Sequence, residues 1–149
     1  MKGNYVLILE VKRAFQSPVG GLGKARFKRG LYLYAGSALG QGSSSLEGRL
    51  KRHLRGYKKV YWHIDHLTTM PQVKVVSAYY VESEVNRECE LTATLVKALD
   101  GKIEHPGFGS TDCGCEGHLI YVGGRSAFDR ILENASVLKS HGLKPYVMT

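Results

Sequence analysis

Three cysteines, four prolines and one tryptophan are all that this 149-residue chain holds of those residue types. So small and odd a number of cysteines argues against a disulfide framework and for a reducing compartment, the cytoplasm being the simplest. Long hydrophobic runs are lacking too. In MKGNYVLILEVKR the apolar run covers only residues 5–9 before Glu10 and Lys12 intervene. That is too short for a signal segment or a membrane span, so no membrane partner is expected. Repeats, low-complexity tracts and linkers are absent, which predicts one domain over residues 1–149, with 124–149 as a C-terminal helical extension. No helix-turn-helix or zinc-finger reader is recognisable.

Acidic residues are also scarce. Thirteen Asp and Glu face 21 Lys and Arg, leaving a formal charge of +8. A field of that sign draws polyanions, and nucleic acid is the commonest of them. The length suffices for a core that folds unaided, and 43% hydrophobic residues is ordinary for a globule.

Alternation of apolar residues predicts a strand over 4–11, short strands over 24–28 and 30–36, and a further strand over 73–81 that is rich in β-branched and aromatic residues. Residues 16–23, QSPVGGLG, read as turn chemistry. They make no phosphate loop, because Pro18 stands where such a loop needs glycine. Ser43, Ser44 and Ser45 offer caps for a helix on which Leu46, Leu50 and Leu54 recur every four residues. Residues 60–67 fit either a strand or a short helix. A long helix is predicted over 84–99, closed by Asp100-Gly101, then a strand HLIYV and a last helix capped by Ser126 and ending near Ser140. The fold class is α+β, a small mixed or antiparallel central sheet flanked by helices. Tyr32 and Tyr34 share one side of their strand, and paired phenols there ask for water or a polar task.

Several groups could carry chemistry. Arg49 and His53, four apart, stack on one helix face at the edge of the leucine stripe and are aimed at the sheet. Lys51, Arg52 and Arg55 point toward solvent, where they could meet phosphates or water. Glu88 extends the Leu91/Leu95/Leu99 stripe by one turn, and a carboxylate there needs a cation or hydrogen bonds. A plain helix-start carboxylate, helped by the helix dipole, explains it equally well. In Trp62-His63-Ile64-Asp65-His66, His63 is singled out as an auxiliary site residue. Cys113, Cys115 and His118 form Cys-x-Cys-x-x-His, three of the four ligands zinc wants, with Cys89 or His105 able to complete the set if the fold brings one near. A polar loop lining a cleft, or turn structure alone, are the other readings of that segment.

Gly3-Asn4-Tyr5 on the first strand and Tyr34-Ala35-Gly36 on a later one resemble the paired motifs of the GIY-YIG nuclease superfamily, with Asn4 and Ala35 where that family has isoleucine. Arg49 and His53 match its Arg-x-x-x-His, and a strand and a glutamate-bearing helix follow in the same order. The strings VGGLGKARFKRGLYLYAGSALG, RHLRG, WHID, ECEL and FGSTDCGC are similar to an uncharacterised branch whose members are sometimes fused to endonuclease III. The likeness spans residues 3–122.

The resemblance implies a GIY-YIG-like fold and a metal-dependent endonuclease acting on nucleic acid, DNA first, in association with DNA-repair proteins. One Mg²⁺ or Mn²⁺ would bind Glu88 and a phosphate oxygen. Tyr5 would take a proton from water, Tyr34 would position that water, Arg49 would stabilise the transferring phosphate, and His53 would orient or protonate. In a second register, set by Leu95-Val96-Lys97, Thr92 falls at the glutamate's position. No counterpart of the family's closing asparagine follows the helix. The rival readings are a nucleic-acid-binding module without catalysis and a zinc-stabilised interaction domain.

Overall fold

A computed structural model describes residues 1–56, 58–110, 114–124 and 128–147. Its centre is a five-stranded antiparallel sheet in the order β6-β4-β1-β5-β7. The strands are β1 (Gly3–Val11), β4 (Gly30–Ala38), β5 (Val73–Glu82), β6 (Leu119–Gly123) and β7 (Lys144–Pro145). A separate hairpin joins β2 (Phe15–Pro18) to β3 (Lys24–Phe27), so residues 16–18, read as turn, are strand, and the turn is confined to the glycines that follow. The helices are α1 (Leu46–Leu54), the single turn α2 (Asp65–Thr68), α3 (Glu88–Leu99) and α4 (Phe128–Ser140). The α+β class expected from the sequence is the class observed.

Both faces of the central strands are covered. On β1, Tyr5, Leu7, Leu9 and Val11 enter one core with Leu46 and Leu50 of α1 and Ile64 and Leu67 around α2. Val6 and Ile8 enter a second core with Leu95 of α3 and Ala135 and Leu138 of α4. Each such aliphatic side chain contributes about 1.5–3 kcal/mol by leaving water, and the alternation of faces locks the register, because a one-residue slip would exchange the two cores. Tyr32 is fully buried, with its hydroxyl donating to the Lys28 carbonyl at 2.8 Å. Its polar task is structural, and only Tyr34 of the pair reaches the candidate site.

Strand β4 runs to Ala38, two residues past the expected end, and two further boundaries differ from the sequence reading. Helix α3 starts at Glu88, not at residue 84, because the side chains of Ser83 and Asn86 bond nearby backbone and hold 83–87 in a polar loop. The last residues are no appended extension: Leu138 and Leu143 are buried in the second core, and β7 pairs with β5 through Tyr79↔Pro145 and Tyr80↔Lys144. The short segment 60–67 resolves as a loop leading into the one-turn α2. Ser126, the expected cap of α4, lies outside the described residues.

Candidate functional site

Ser45 starts α1 by accepting the Gly48 amide on its Oγ at 3.1 Å, and the helix packs Leu46 and Leu50 onto the sheet. This sets His53, one turn after Arg49, against β1. The Tyr5 hydroxyl and His53 Nε2 share a 2.7 Å hydrogen bond, and both side chains are buried. Tyr34 stands beside them, its ring 6.3 Å from the imidazole. Tyr5 pairs with Gly36 across the ladder, and a Cβ at Gly36 would fall against the Tyr5 Cζ and hydroxyl. The glycine is needed for space.

One residue further along β4, Ser37 joins two helices. Its Oγ donates to Glu88 Oε1 at 2.6 Å, and its carbonyl accepts from Arg49 Nη1 at 2.7 Å. Strand alternation turns the Ser37 side chain toward α3 and the Tyr5 and Tyr34 rings toward α1. Glu88 therefore approaches the end of β4 from the face opposite the phenols, and Arg49 reaches around from theirs. Asn4 holds the preceding loop: its Oδ1 accepts from the Arg87 amide at 2.9 Å and its Nδ2 donates to the Val85 carbonyl at 3.1 Å. Asn4 thus positions Glu88, a task that isoleucine could not perform. Thr92, the alternative in the second register, is buried and donates back to the Glu88 carbonyl at 2.7 Å.

Burial raises the Tyr5 phenol well above its ordinary range; Tyr34, Glu88 and Asp65 push the same way, and only Arg49 pulls it down. Burial lowers His53 to about 3, helped by the cations Lys58, Arg52 and Arg49 against the pull of Asp65. The pair is thus held neutral on both sides.

Arg52 does not point freely to solvent as expected. Its Nη2 donates to Asp65 Oδ2 at 2.7 Å and to the Lys59 carbonyl at 2.8 Å. Asp65 also accepts the Tyr61 and Trp62 amides, at 2.9 and 2.8 Å. Burial opposes its charge, but those amides and Arg52 outweigh it and hold the carboxyl below the usual range. Trp62 takes the guanidinium carbons of both Arg49 and Arg52 at 4.9 Å from its ring. Lys51 and Arg55 are exposed.

His63 sits outside this group. Its Nδ1 accepts the Gly109 amide at 2.9 Å, latching the segment that carries Phe108. Gly109 has φ of +73°, and a Cβ there would lie 3.1 Å from the Tyr34 hydroxyl. The Gly109 loop thus connects His63 to Tyr34.

The cysteines correct the reading of their count. Cys89 and Cys115 are joined as a disulfide. His118 Nε2 lies 3.0 Å from Cys115 Sγ and 3.6 Å from Cys89 Sγ. On its other side, His118 Nδ1 lies 3.5 Å from Glu88 Oε2. Burial holds the His118 imidazole below its ordinary pKa, and Glu88 works against that. His105 is occupied elsewhere, donating to the Arg26 carbonyl at 2.7 Å and stacking on Phe27. Cys113 lies outside the described residues.

Of the residues singled out in the sequence, Tyr5, Tyr34, Arg49, His53 and Glu88 thus gather around the end of β4, whereas Arg52 and His63 serve neighbouring structure. Ser37 was missed, and Asn4 and Asp65, though noted in their motifs, were given no role in the site. Fold and site together define an α+β domain that collects phenol, imidazole, guanidinium and carboxylate at one end of an antiparallel sheet. The chain belongs to the family DUF123, a domain of unknown function, whose family model matches residues 4–140. No curated protein and no solved structure matches it. Among the described residues no helix is long and apolar enough to cross a membrane.

Proposed function

We propose that the chain is a metal-dependent endonuclease that hydrolyses phosphodiester bonds in DNA. The observation that carries this reading is the Ser37 joint, which ties Glu88 and Arg49 to one residue of β4 beside the strand position that packs on Tyr5. The resemblance to GIY-YIG nucleases supports the same reading, as does the net charge of +8. Residence in the cytoplasm and association with DNA-repair proteins belong to this proposal.

Mg²⁺ or Mn²⁺ fits the donor set. Such ions keep several waters and take one or two carboxylates plus phosphate oxygens, and Glu88 offers one carboxylate whose side chain is 16% exposed. When bound, the cation would supply Lewis-acid polarisation of the phosphate. Arg49 would stabilise negative charge on the phosphate, and its buried Nε has no hydrogen-bond partner among the described residues. Tyr5 would pass its hydroxyl proton to His53 Nε2 and then accept one from water at its phenolic oxygen, with burial opposing the phenolate and Arg49 favouring it. Tyr34 would position the water. Exposed Lys51 and Arg55, with Tyr61 at 78% exposure, suit contact with phosphates and a base.

A cleavage screen of linear, nicked and branched DNA with Mg²⁺ or Mn²⁺ tests this. The wild type should cut at least one substrate, and Glu88→Gln and Tyr5→Phe should each slow cleavage by about 100-fold or more. Undiminished cleavage by both variants refutes the assignment. One observation favours a second reading, a binding module without catalysis: the Tyr5–His53 pair is buried with both shifts opposing proton transfer. That module would bind DNA with a steep salt dependence and would show no turnover whichever metal is supplied. Lys51→Ala or Arg55→Ala would lower the salt slope by about one, and Glu88→Gln would leave affinity intact or raise it.

A further inference from the structure

The first turn of α3 and the segment leading into β6 assemble a second group of chemistry-bearing side chains. The ligand atoms of Cys89, Cys115 and His118 all lie within 4.8 Å of one another. A disulfide alone requires no imidazole against both of its sulfurs, yet His118 Nε2 faces both, at 3.0 and 3.6 Å. The His118 side chain is 1% exposed, and its other ring nitrogen approaches Glu88 Oε2 at 3.5 Å. Metal-binding histidines are held in this way, one nitrogen on the ion and the other directed to a carboxylate. Thiolate and imidazole are soft to borderline donors that select zinc over Mg²⁺ or Mn²⁺.

We propose that the reduced chain binds one zinc ion through Cys89 Sγ, Cys115 Sγ and His118 Nε2. Three protein ligands leave one position of the zinc tetrahedron for water or another donor. The ion would tie the start of α3 to the approach to β6 across the 26 residues that separate the two cysteines. Because Cys89 follows Glu88, it would also fix the carboxylate. The disulfide is the alternative, metal-free state of the same sulfurs. A dithiol reductant passes two electrons to the S–S bond, leaving two thiolates on the chain, one disulfide on the reductant and two protons in solvent.

The test uses Co²⁺ as a visible substitute for zinc and reads no cleavage, so its outcome is independent of whether the chain cuts DNA. The chain is reduced with dithiothreitol, desalted without oxygen and titrated with Co²⁺, then with Zn²⁺. One Co²⁺ per chain should bind, with thiolate-to-cobalt charge transfer and tetrahedral d–d bands that an equivalent of Zn²⁺ removes. Cys89→Ser and Cys115→Ser should each halve the charge-transfer intensity. His118→Ala should weaken Co²⁺ binding by about 100-fold, and Glu88→Gln by roughly 10-fold to 100-fold. Far-UV circular dichroism identifies any variant that fails to fold. The wild type supplies a control without mutation, since oxidising the cysteines with diamide should abolish the bands. Reduced wild type that shows no thiolate–cobalt band, bands that survive oxidation, or bands unchanged in folded Cys89→Ser, Cys115→Ser and His118→Ala variants overturn the proposal.

Discussion

His53 makes stability depend on pH in a way that can be calculated. Its ordinary pKa is 6.5, and burial lowers it to about 3 in the folded chain. Between these values the unfolded chain binds a proton at His53 and the folded chain does not, so stability falls as pH falls. The loss begins near pH 6.5 and is complete only below pH 3, where it approaches about 5 kcal/mol at 1.36 kcal/mol per pH unit. By pH 5.0 it is about 2 kcal/mol relative to pH 7.5. Urea unfolding followed by fluorescence of Trp62, the sole tryptophan, reads this directly, because its ring lies 6.1 Å from the His53 ring. Other titrating groups contribute as well, so the comparison is with His53→Gln, which keeps a hydrogen-bonding side chain beside Tyr5 but cannot titrate. The wild type should lose about 2 kcal/mol more than the variant between the two pH values. Equal losses would refute the reasoning, since His53 would then not be buried as a neutral imidazole.

Three further substitutions separate structural from site residues. Tyr32→Phe should cost about 1 kcal/mol, the net worth of a hydrogen bond such as that to Lys28, and leave any DNA cleavage or binding unchanged; a large loss of either would put Tyr32 in the site. Gly36→Ala should cost about 1–3 kcal/mol by overpacking against the Tyr5 ring, and wild-type stability in denaturant would show that the ring is elsewhere. Asp65→Asn should cost about 3 kcal/mol or more by leaving Arg52 without its carboxylate. A change below about 1 kcal/mol in urea unfolding would place that ion pair among the weak ones of the surface.

Strand and helix periodicity carried most of the fold into the sequence. Tyr5, Leu7 and Leu9 alternate with Val6 and Ile8, and the leucines of α1 recur every four residues, so both elements were legible. The edges of elements were not. Besides the local bonds of Ser83 and Asn86, the start of α3 involves Asn4, more than eighty residues upstream, which takes hold of the Arg87 amide, and no local pattern reports that contact. Strand β7 is two residues long and exists because Leu143 is drawn into the second core beside β5. The pairing of Cys89 with Cys115 is likewise a product of tertiary approach, invisible to a count of cysteines.

The site shows the same division. Arg49 and His53 could be proposed because their helical spacing restricts where they point, and Tyr5 because its motif resembles that of the GIY-YIG nucleases. Ser37 could not, although it stands in the Ala-Gly-Ser run that closes β4. Its significance lies in offering two kinds of atom in two directions: a hydroxyl toward α3 and a carbonyl to a guanidinium from α1. Gly36 beside it leaves room for the Tyr5 ring, so small residues at the end of β4 let larger groups from both faces of the sheet approach one another. Glu88 then has two competing neighbours, Ser37 on one oxygen and His118 on the other. Whatever fixes His118, whether a disulfide or an ion on Cys89 and Cys115, also sets how freely that carboxylate can turn toward a cation of its own.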